Sequence, residues 1–297
     1  MTETKDIFDK LSKTIEYDLK PHETQISTMT IILYMKDDIK FDCYNIGRYL
    51  KTDEIIDGVI FNDADAKIHI RGSLETQIKS RKKLKKTKEK KTKNKKDSFY
   101  NQVTVIVKVS NDKMINIKLF KNGSIQMTGC NSLENSKKAI EYLFTNLNTT
   151  RYLIFPSNDK IKEIQFINTQ NITLSSIIDG KVALINCDFT IEFEINRDKL
   201  FNIMSNKNLK NLEIKKKSKI INDINSPFKY IDGTFDPIRH ACVNIKLQHP
   251  IKTITIFVFE SGSIIILGKS CRQIRDAYNF INVFLLTNYY EICNNLM

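Results

Sequence analysis

Tryptophan is absent, and only nine glycines and five prolines occur among 297 residues. That excludes a collagen-like or low-complexity chain. No Gly-x-Gly and no Gly-Lys-Ser/Thr occurs, so the sequence has no glycine-rich loop to cradle phosphates and nucleotide hydrolysis is not expected. No run approaches the ~20 uninterrupted apolar residues that cross a bilayer, and the opening Met1-Thr2-Glu3-Thr4-Lys5-Asp6 lacks an apolar signal core. Neither secretion nor membrane spanning is expected. The six cysteines, Cys43, Cys130, Cys187, Cys242, Cys271 and Cys293, stand at least 22 positions apart without a Cys-x-x-Cys pair. They read as reduced thiols of an intracellular protein. His22, His69, His240 and His249 are scattered, with no metal-ligand spacing. The carboxylates Asp37-Asp38 and Asp63-x-Asp65 would have to converge from distant parts of the chain to serve a metal-dependent nuclease. The expectation is therefore a protein without catalytic residues, metal or cofactor.

What is present is enough apolar material to fold: 41% hydrophobic and 9% aromatic residues in 34.6 kDa, room for one large domain or two ordinary ones. The formal charge is +13 and the isoelectric point near 9.3, which suits a polyanionic partner. One tract carries the excess. From Lys79 to Lys96 there are eleven Lys and one Arg against Glu89 alone, a net +11, leaving +2 for the other 279 residues. Such a tract reads as a solvated loop: a solubilising insert, a phosphate-binding arm or a nuclear localisation signal.

An internal repeat organises the rest. Phe120-Lys121-Asn122-Gly123-Ser124-Ile125-Gln126-Met127-Thr128-Gly129 matches Phe259-Glu260-Ser261-Gly262-Ser263-Ile264-Ile265-Ile266-Leu267-Gly268 at an offset of 139. A capping signal follows each block, Asn131-x-x-Glu134 and Ser270-x-x-Gln273, and then apolar residues at helical spacing. Leu133, Ile140, Leu143 and Leu147 form one stripe; Ile274, Ala277, Tyr278, Ile281 and Leu285 form the other. Ile39 to Leu50 and Phe193 to Met204 both read as a strand end running into a short helix, and Ile56-Asp57-Gly58 recurs as Ile231-Asp232-Gly233. Gly58 to Gly123 is 65 positions and Gly233 to Gly262 is 29, which makes the lysine tract an insertion into a compact unit. A smaller expansion lies around Asn206 to Ser226. Strand-like pieces are expected at Ile161 to Ile167 and Asn171 to Ile178, and a helix near the start with Ile7, Phe8, Leu11 and Ile15 on one side.

Strand alternation assigns the faces. With Lys121-Asn122-Gly123 as a three-residue hairpin loop and Gly123 left-handed, Ile115, Ile117, Leu119, Ile125 and Met127 line the core. Asn116, Lys118, Phe120, Ser124, Gln126 and Thr128 line the other face. The second hairpin buries Ile254, Ile256, Val258, Ile264 and Ile266 and leaves Thr255, Phe257, Phe259, Ser263, Ile265 and Leu267 outside. Each half thus exposes a phenylalanine at its tip, unless another segment covers these faces as ordinary core. An apolar side chain among Asn, Thr and Lys suits the DNA minor groove, whose walls are sugars and whose base edges are acceptors. Lys108 and Lys246 occupy equivalent non-core positions from which to reach phosphates.

The double Phe-x-x-Gly-x-x-x-x-x-Gly block followed by a capped helix resembles the TATA-box-binding protein family. Cys187-Asp188-Phe189 resembles that family's second repeat, and Ser27-Thr28-Met29 the start of its first. The resemblance implies an α+β fold: two pseudo-symmetric repeats forming a curved antiparallel sheet, a saddle, with helices on the convex face. Its boundaries would be an N-terminal extension at 1–25, repeat one at 26–147 with the basic insert at about 74–99, a connecting segment at 148–181, repeat two at 182–286 and a tail at 287–297. It also implies sequence- or shape-selective minor-groove binding and bending of double-stranded, A·T-rich promoter DNA in transcription initiation. General transcription factors and RNA polymerase would be the other partners, with no membrane and no small-molecule substrate. The expected place is inside the cell, in the nucleus or at a cytoplasmic site of viral transcription, and the wealth of Ile, Lys and Asn fits an A·T-rich coding genome such as that of a large DNA virus.

Phe120 and Phe259 match one wedge of each family pair, and Thr128 a groove-facing threonine. The partner wedges would fall near Gln102 and His240, where the sequence has no phenylalanine; Tyr100 and Phe235 are the nearest substitutes. The family's groove-reading asparagines align with Thr24 and Val182, and Leu267 replaces the second threonine. The expected DNA-binding set is Phe120, Phe259, Phe257, Tyr100, Asn116, Lys118, Gln126, Thr128, Thr255, Ile265, Leu267, Lys108 and Lys246. Two other classes stay open: a sliding-clamp-like processivity factor, which would need more than Lys137, Lys138, Arg272 and Arg275 on its helices, and a saddle-fold accessory subunit of a nucleic-acid enzyme.

Overall fold

The computed structural model describes residues 7–15, 25–62, 68–73, 101–110, 112–155, 160–169, 171–205 and 231–294. The lysine tract, Tyr100, Thr24 and the Asn206 to Ser226 expansion lie outside the described residues. The chain divides into two compact units, residues 1–12 with 30–181 and residues 13–29 with 182–297.

The elements in chain order are α1 (Ile7–Ile15), β1 (Gln25–Met35), α2 (Cys43–Tyr49), β2 (Ile56–Asn62), β3 (Ile68–Gly72), β4 (Gln102–Ser110), β5 (Lys113–Phe120), β6 (Ser124–Cys130), α3 (Leu133–Leu147), β7 (Arg151–Phe155) and β8 (Lys160–Ile164). They continue as a 3-10 turn (Leu174–Ser176), β9 (Ile177–Thr190), α4 (Arg197–Ser205), β10 (Ile231–Thr234), β11 (Cys242–Leu247), β12 (Ile254–Phe259), β13 (Ser263–Gly268), α5 (Cys271–Thr287) and α6 (Tyr289–Ile292). This is the α+β class, antiparallel strands with helices packed on them.

In the first unit the strand order is β6-β5-β4-β2-β3, each neighbour antiparallel. Alternate residues Val103, Val105, Val107, Ile115, Ile117, Leu119, Ile125 and Met127 are buried. Over them lies α3, which contacts β4, β5 and β6 and buries Ala139, Ile140, Leu143, Phe144 and Leu147. The second unit has the order β10-β11-β12-β13-β9, also antiparallel. There α5 contacts β12 and β13, burying Ile274, Ala277, Phe280, Ile281 and Leu285 over Ile254, Ile256, Val258, Ile264 and Ile266. Each such aliphatic side chain contributes roughly 1.5–3 kcal/mol when removed from water, so this face of each hairpin carries its stability. The predicted cores are the observed ones.

The two hairpins turn in the same way. Gly123 N donates to Phe120 O at 2.9 Å and Gly262 N to Phe259 O at 3.1 Å, with both glycines left-handed at φ +91° and +81°. A Cβ on Gly123 would stand 2.6 Å from Ile39 O, and one on Gly262 2.7 Å from both Ile191 O and Phe193 O. Each turn is therefore pressed against the chain that leads into the short helix, α2 or α4.

A further likeness was not legible in the sequence. After each long helix the chain returns to that same lead-in segment and closes a one-residue bridge, Phe41 with Ile167 in one unit and Ile195 with Cys293 in the other. Asp42 N donates to Phe166 O and Asn168 N to Lys40 O; Asn196 N donates to Ile292 O and Asn294 N to Glu194 O. Asn168 reinforces the first closure, accepting from Lys40 N and donating to Asp38 O.

Three expectations are corrected. The α3 cap is Ser132, which accepts from Asn135 N, and Asn131 precedes it; in α5 the cap is Ser270 as expected, accepting from Gln273 N. Leu133 is half-buried, whereas Ile140, Leu143 and Leu147 are buried. Of the strand-like pieces, Ile161 to Ile167 is met as far as Ile164 by β8, which pairs with Arg151–Phe155 as a hairpin, whereas most of Asn171 to Ile178 is not strand, because the chain turns at Leu174–Ser176 before β9 begins at Ile177. The helix near the start is observed as α1, with Ile7, Phe8 and Leu11 buried.

Replacing Gly262 by Ala is expected to lower the unfolding free energy by about 1–3 kcal/mol, since the new Cβ meets two carbonyls in a left-handed conformation. Gly233→Ala, whose Cβ finds its nearest atom at 3.3 Å, should cost less, and urea unfolding of the two variants checks the order. Burial pushes the Cys43 and Cys130 thiols up to about 11 and Cys187 to about 12. At pH 8 these three should resist an alkylating reagent in the folded chain and react once it is denatured, as mass spectrometry of labelled peptides would show.

Candidate nucleic-acid interface

The residues that alternate with the core form the open face of each unit, and cross-strand register places them in rows. In the first unit Phe120 stands beside Gln102, Lys118 between Thr104 and Gln126, and Asn116 between Ile106 and Thr128, while Lys108 lies beside Met114. In the second, Phe259 stands beside Cys242, Phe257 between Asn244 and Ile265, and Thr255 between Lys246 and Leu267. Strand β9 extends these rows with Asp188 beside Ile265 and Asn186 beside Leu267.

Apart from Tyr100, every residue of the sequence-predicted set therefore occupies the open face of its own unit. Lys246 is exposed, and the others are half-buried. That includes Phe120 and Phe259, which are less exposed than a hairpin tip suggested. Phe120 borders an open groove of about 1210 Å³ together with Lys40, Tyr44, Asn101, Lys121 and Asn168. Phe235, the substitute wedge, packs with its ring 6.1 Å from that of Phe201 and under the Arg197 guanidinium at 5.4 Å. His240 is exposed.

The two open faces differ in chemistry. The first sets the donors Lys118, Gln126, Asn116, Thr104 and Thr128 beside Phe120, interleaved with Ile60, Ile106 and Met114. The second is dominated by Phe257, Phe259, Ile265 and Leu267. A surface of donors suits base edges that present only acceptors, as A·T pairs do in the minor groove, and a surface of rings and aliphatics suits the sugars that wall it.

Sequence reasoning missed Thr104, Asn186, Asn244 and Asp188. Alternation could have found three of them, since Asn244 is two positions before Lys246, Thr104 is four before Lys108, and Asp188 follows a core cysteine. Asn186 donates its amide to Thr28 Oγ1 at 3.0 Å, and Ser27 Oγ donates to Asn186 O at 3.1 Å. The side-chain oxygens of Asn186 and Asn244 are buried without a hydrogen-bond partner. An unsatisfied acceptor of this kind costs about 1–3 kcal/mol.

Among the described residues no three His, Cys, Asp or Glu side chains are grouped to hold a metal, and no described helix is long and apolar enough to cross a membrane.

No protein-family model matches the chain. It is similar to a curated protein named TATA-box-binding protein-like from Acanthamoeba polyphaga mimivirus, with 33% identity over 299 residues that cover 98% of this chain and 73% of that protein. Among solved structures, Methanococcus jannaschii TBP matches it at 14% identity and a TM-score of 0.44, over 87% of this chain and 95% of that one.

Since the orphaned oxygen of Asn244 burdens the fold, Asn244→Leu is expected to hold or raise the thermal unfolding midpoint. A fall of several degrees would show the side chain to be structural.

Proposed function

The chain belongs to the TATA-box-binding-protein-like family, and from that premise we propose that it binds double-stranded DNA in the minor groove and bends it in transcription initiation. The observation that carries the reading is the pair of open faces, each a helix-free row of polar and apolar side chains ending in a phenylalanine at a glycine-closed turn. Lys118, Gln126, Asn116 and Thr128 donate to the acceptor edges of A·T pairs. Phe257, Ile265, Leu267 and Thr255 lie against sugars, and Phe120 and Phe259 each enter a base step and open it toward a bend. Lys108 and Lys246 take flanking phosphates, which fix position without reading sequence. The lysine tract adds affinity of the counterion-release kind, independent of sequence.

On this reading the chain does no covalent chemistry of its own. It presents a bent A·T-rich promoter to general transcription factors and RNA polymerase, inside the cell, in the nucleus or at a cytoplasmic site of viral transcription.

The test is energy transfer between end labels on an A·T-rich duplex. Protein lacking Lys79 to Lys96 should still bend it, with weaker binding and a shallower dependence on salt, while the Phe120→Ala, Phe259→Ala double variant of the whole chain should bind without bending. Loss of all binding with the tract, and no bend at any salt concentration, would refute the proposal.

A further inference from the structure

The open groove of about 1210 Å³ beside the tip of the first unit has three walls. They are the lead-in to α2, the hairpin tip at Phe120, Lys121 and Asn122, and the chain from Glu163 to Asn168 at the end of β8. The bridge of Phe41 with Ile167, both buried, joins the first wall to the third. Asn45 donates its side-chain amide to Gln165 O at 2.9 Å across the same pair of walls, and Lys121 N donates to Asn101 O at 3.0 Å at the tip. The groove is therefore built into the fold.

Its lining sets an exposed ring among ammonium and amide donors. Tyr44 is 48% exposed, and the Arg48 guanidinium lies over its ring at 4.9 Å. Lys40, Lys121, Asn101 and Asn122 are exposed along the same groove. Two carboxylates also line it, and both are engaged within the chain: Asp42 accepts from Asn45 N as the cap of α2, and Glu163 accepts from Gln165 at 2.8 Å.

The corresponding corner of the second unit carries the opposite charge. Counting from the bridged residues Phe41 and Ile195, Lys40 takes the place of Glu194 and Tyr44 that of Asp198; counting from Phe120 and Phe259, Lys121 takes the place of Glu260. The helix caps confirm the alignment, since Asp42 and Asn196 each accept from the backbone amide three residues on. Glu194, Asp198 and Glu260 are all exposed, and Glu260 is paired by Arg197 where the first unit has the buried Cys43. The same local fold thus forms with acids at these three positions, so packing does not explain two lysines and a tyrosine.

Cations around an exposed ring suit single-stranded nucleic acid, whose phosphates take the cations and whose unpaired bases offer a face for stacking. A duplex hides those faces in its own stack. We infer that this groove holds a stretch of single-stranded DNA, with a base stacked on Tyr44 opposite Arg48 and phosphates at Lys40 and Lys121. The choice of DNA over RNA rests on the duplex reading above, because Phe120 belongs both to the open face and to the groove. The site itself does not depend on that reading.

The experiment uses the whole chain and thymidine oligonucleotides carrying one 5-iodouracil, a base that cross-links under near-ultraviolet light to a ring on which it stacks. Peptide mass spectrometry should place the cross-link at Tyr44, which separates the groove from the lysine tract. Tyr44→Ala should abolish it and weaken single-strand binding roughly tenfold, the order of one stacked base, while Tyr44→Phe keeps both. Lys40→Gln combined with Lys121→Gln should lower the slope of log affinity against log salt by about 0.7 for each cation removed. These variants should unfold at the parent temperature and leave duplex affinity and bending unaltered. Cross-links found only in the lysine tract, or Tyr44→Ala binding the oligonucleotide as tightly as the parent, would overturn the inference. Tighter binding of the matching uridine oligonucleotide would overturn the assignment to DNA, and loss of a protein factor in place of the oligonucleotide would make the groove a protein site. If the parent bends no duplex yet cross-links at Tyr44, the duplex reading fails and the groove site stands.

Discussion

Register across two hairpins decides what each surface of this protein can do. In a pleated strand a slip of one residue would exchange every inward side chain for an outward one, turning Ile115, Ile117 and Leu119 to solvent and Lys118 and Asn116 toward the helix. The three-residue turns at Gly123 and Gly262 prevent the slip. Each requires a left-handed residue at one position only, and each is pressed against carbonyls of the segment entering α2 or α4, so the turn cannot migrate along the strand. The helix caps at Ser132 and Ser270 then set where the covering helices begin. The aliphatic layer beneath those helices stabilises each unit. The opposite layer, freed from a packing role, can carry chemistry.

That freedom has been used differently in the two units. The first open face sets Lys118, Gln126, Asn116 and Thr128 beside Phe120, Ile106 and Met114; the second sets Phe257, Phe259, Ile265 and Leu267 among Asn186, Asn244, Lys246, Thr255 and Asp188. In a minor groove the first kind of surface discriminates between base pairs and the second mainly follows width and deformability. The unpartnered oxygens of Asn186 and Asn244 belong to the second face, where most neighbours are apolar and a misplaced polar atom is costly.

Much of the fold could be read from the sequence because its signals are local. The hairpins follow from glycine at a fixed place between alternating aliphatics, and the long helices from an asparagine or serine cap before a periodic stripe. The cap of α3 was misplaced by one residue because Asn131 and Ser132 are both competent caps, and only backbone geometry chooses between them. The closing bridges Phe41 with Ile167 and Ile195 with Cys293 could not be read. They join segments about 100 residues or more apart, and their hydrogen bonds come from backbone, which leaves no mark on residue type. The open faces were legible by alternation as far as the strands reached.

The central claim is that DNA is read from the minor groove, and base substitution tests it without altering the protein. Inosine·cytosine pairs present the same minor-groove pattern as A·T pairs but the major-groove pattern of G·C, because inosine lacks the 2-amino group. Affinity for an A·T-rich site should survive its replacement by inosine·cytosine and fall when guanine·cytosine takes its place. If instead the inosine duplex binds as poorly as the guanine one, recognition comes from the major groove and the account is contradicted.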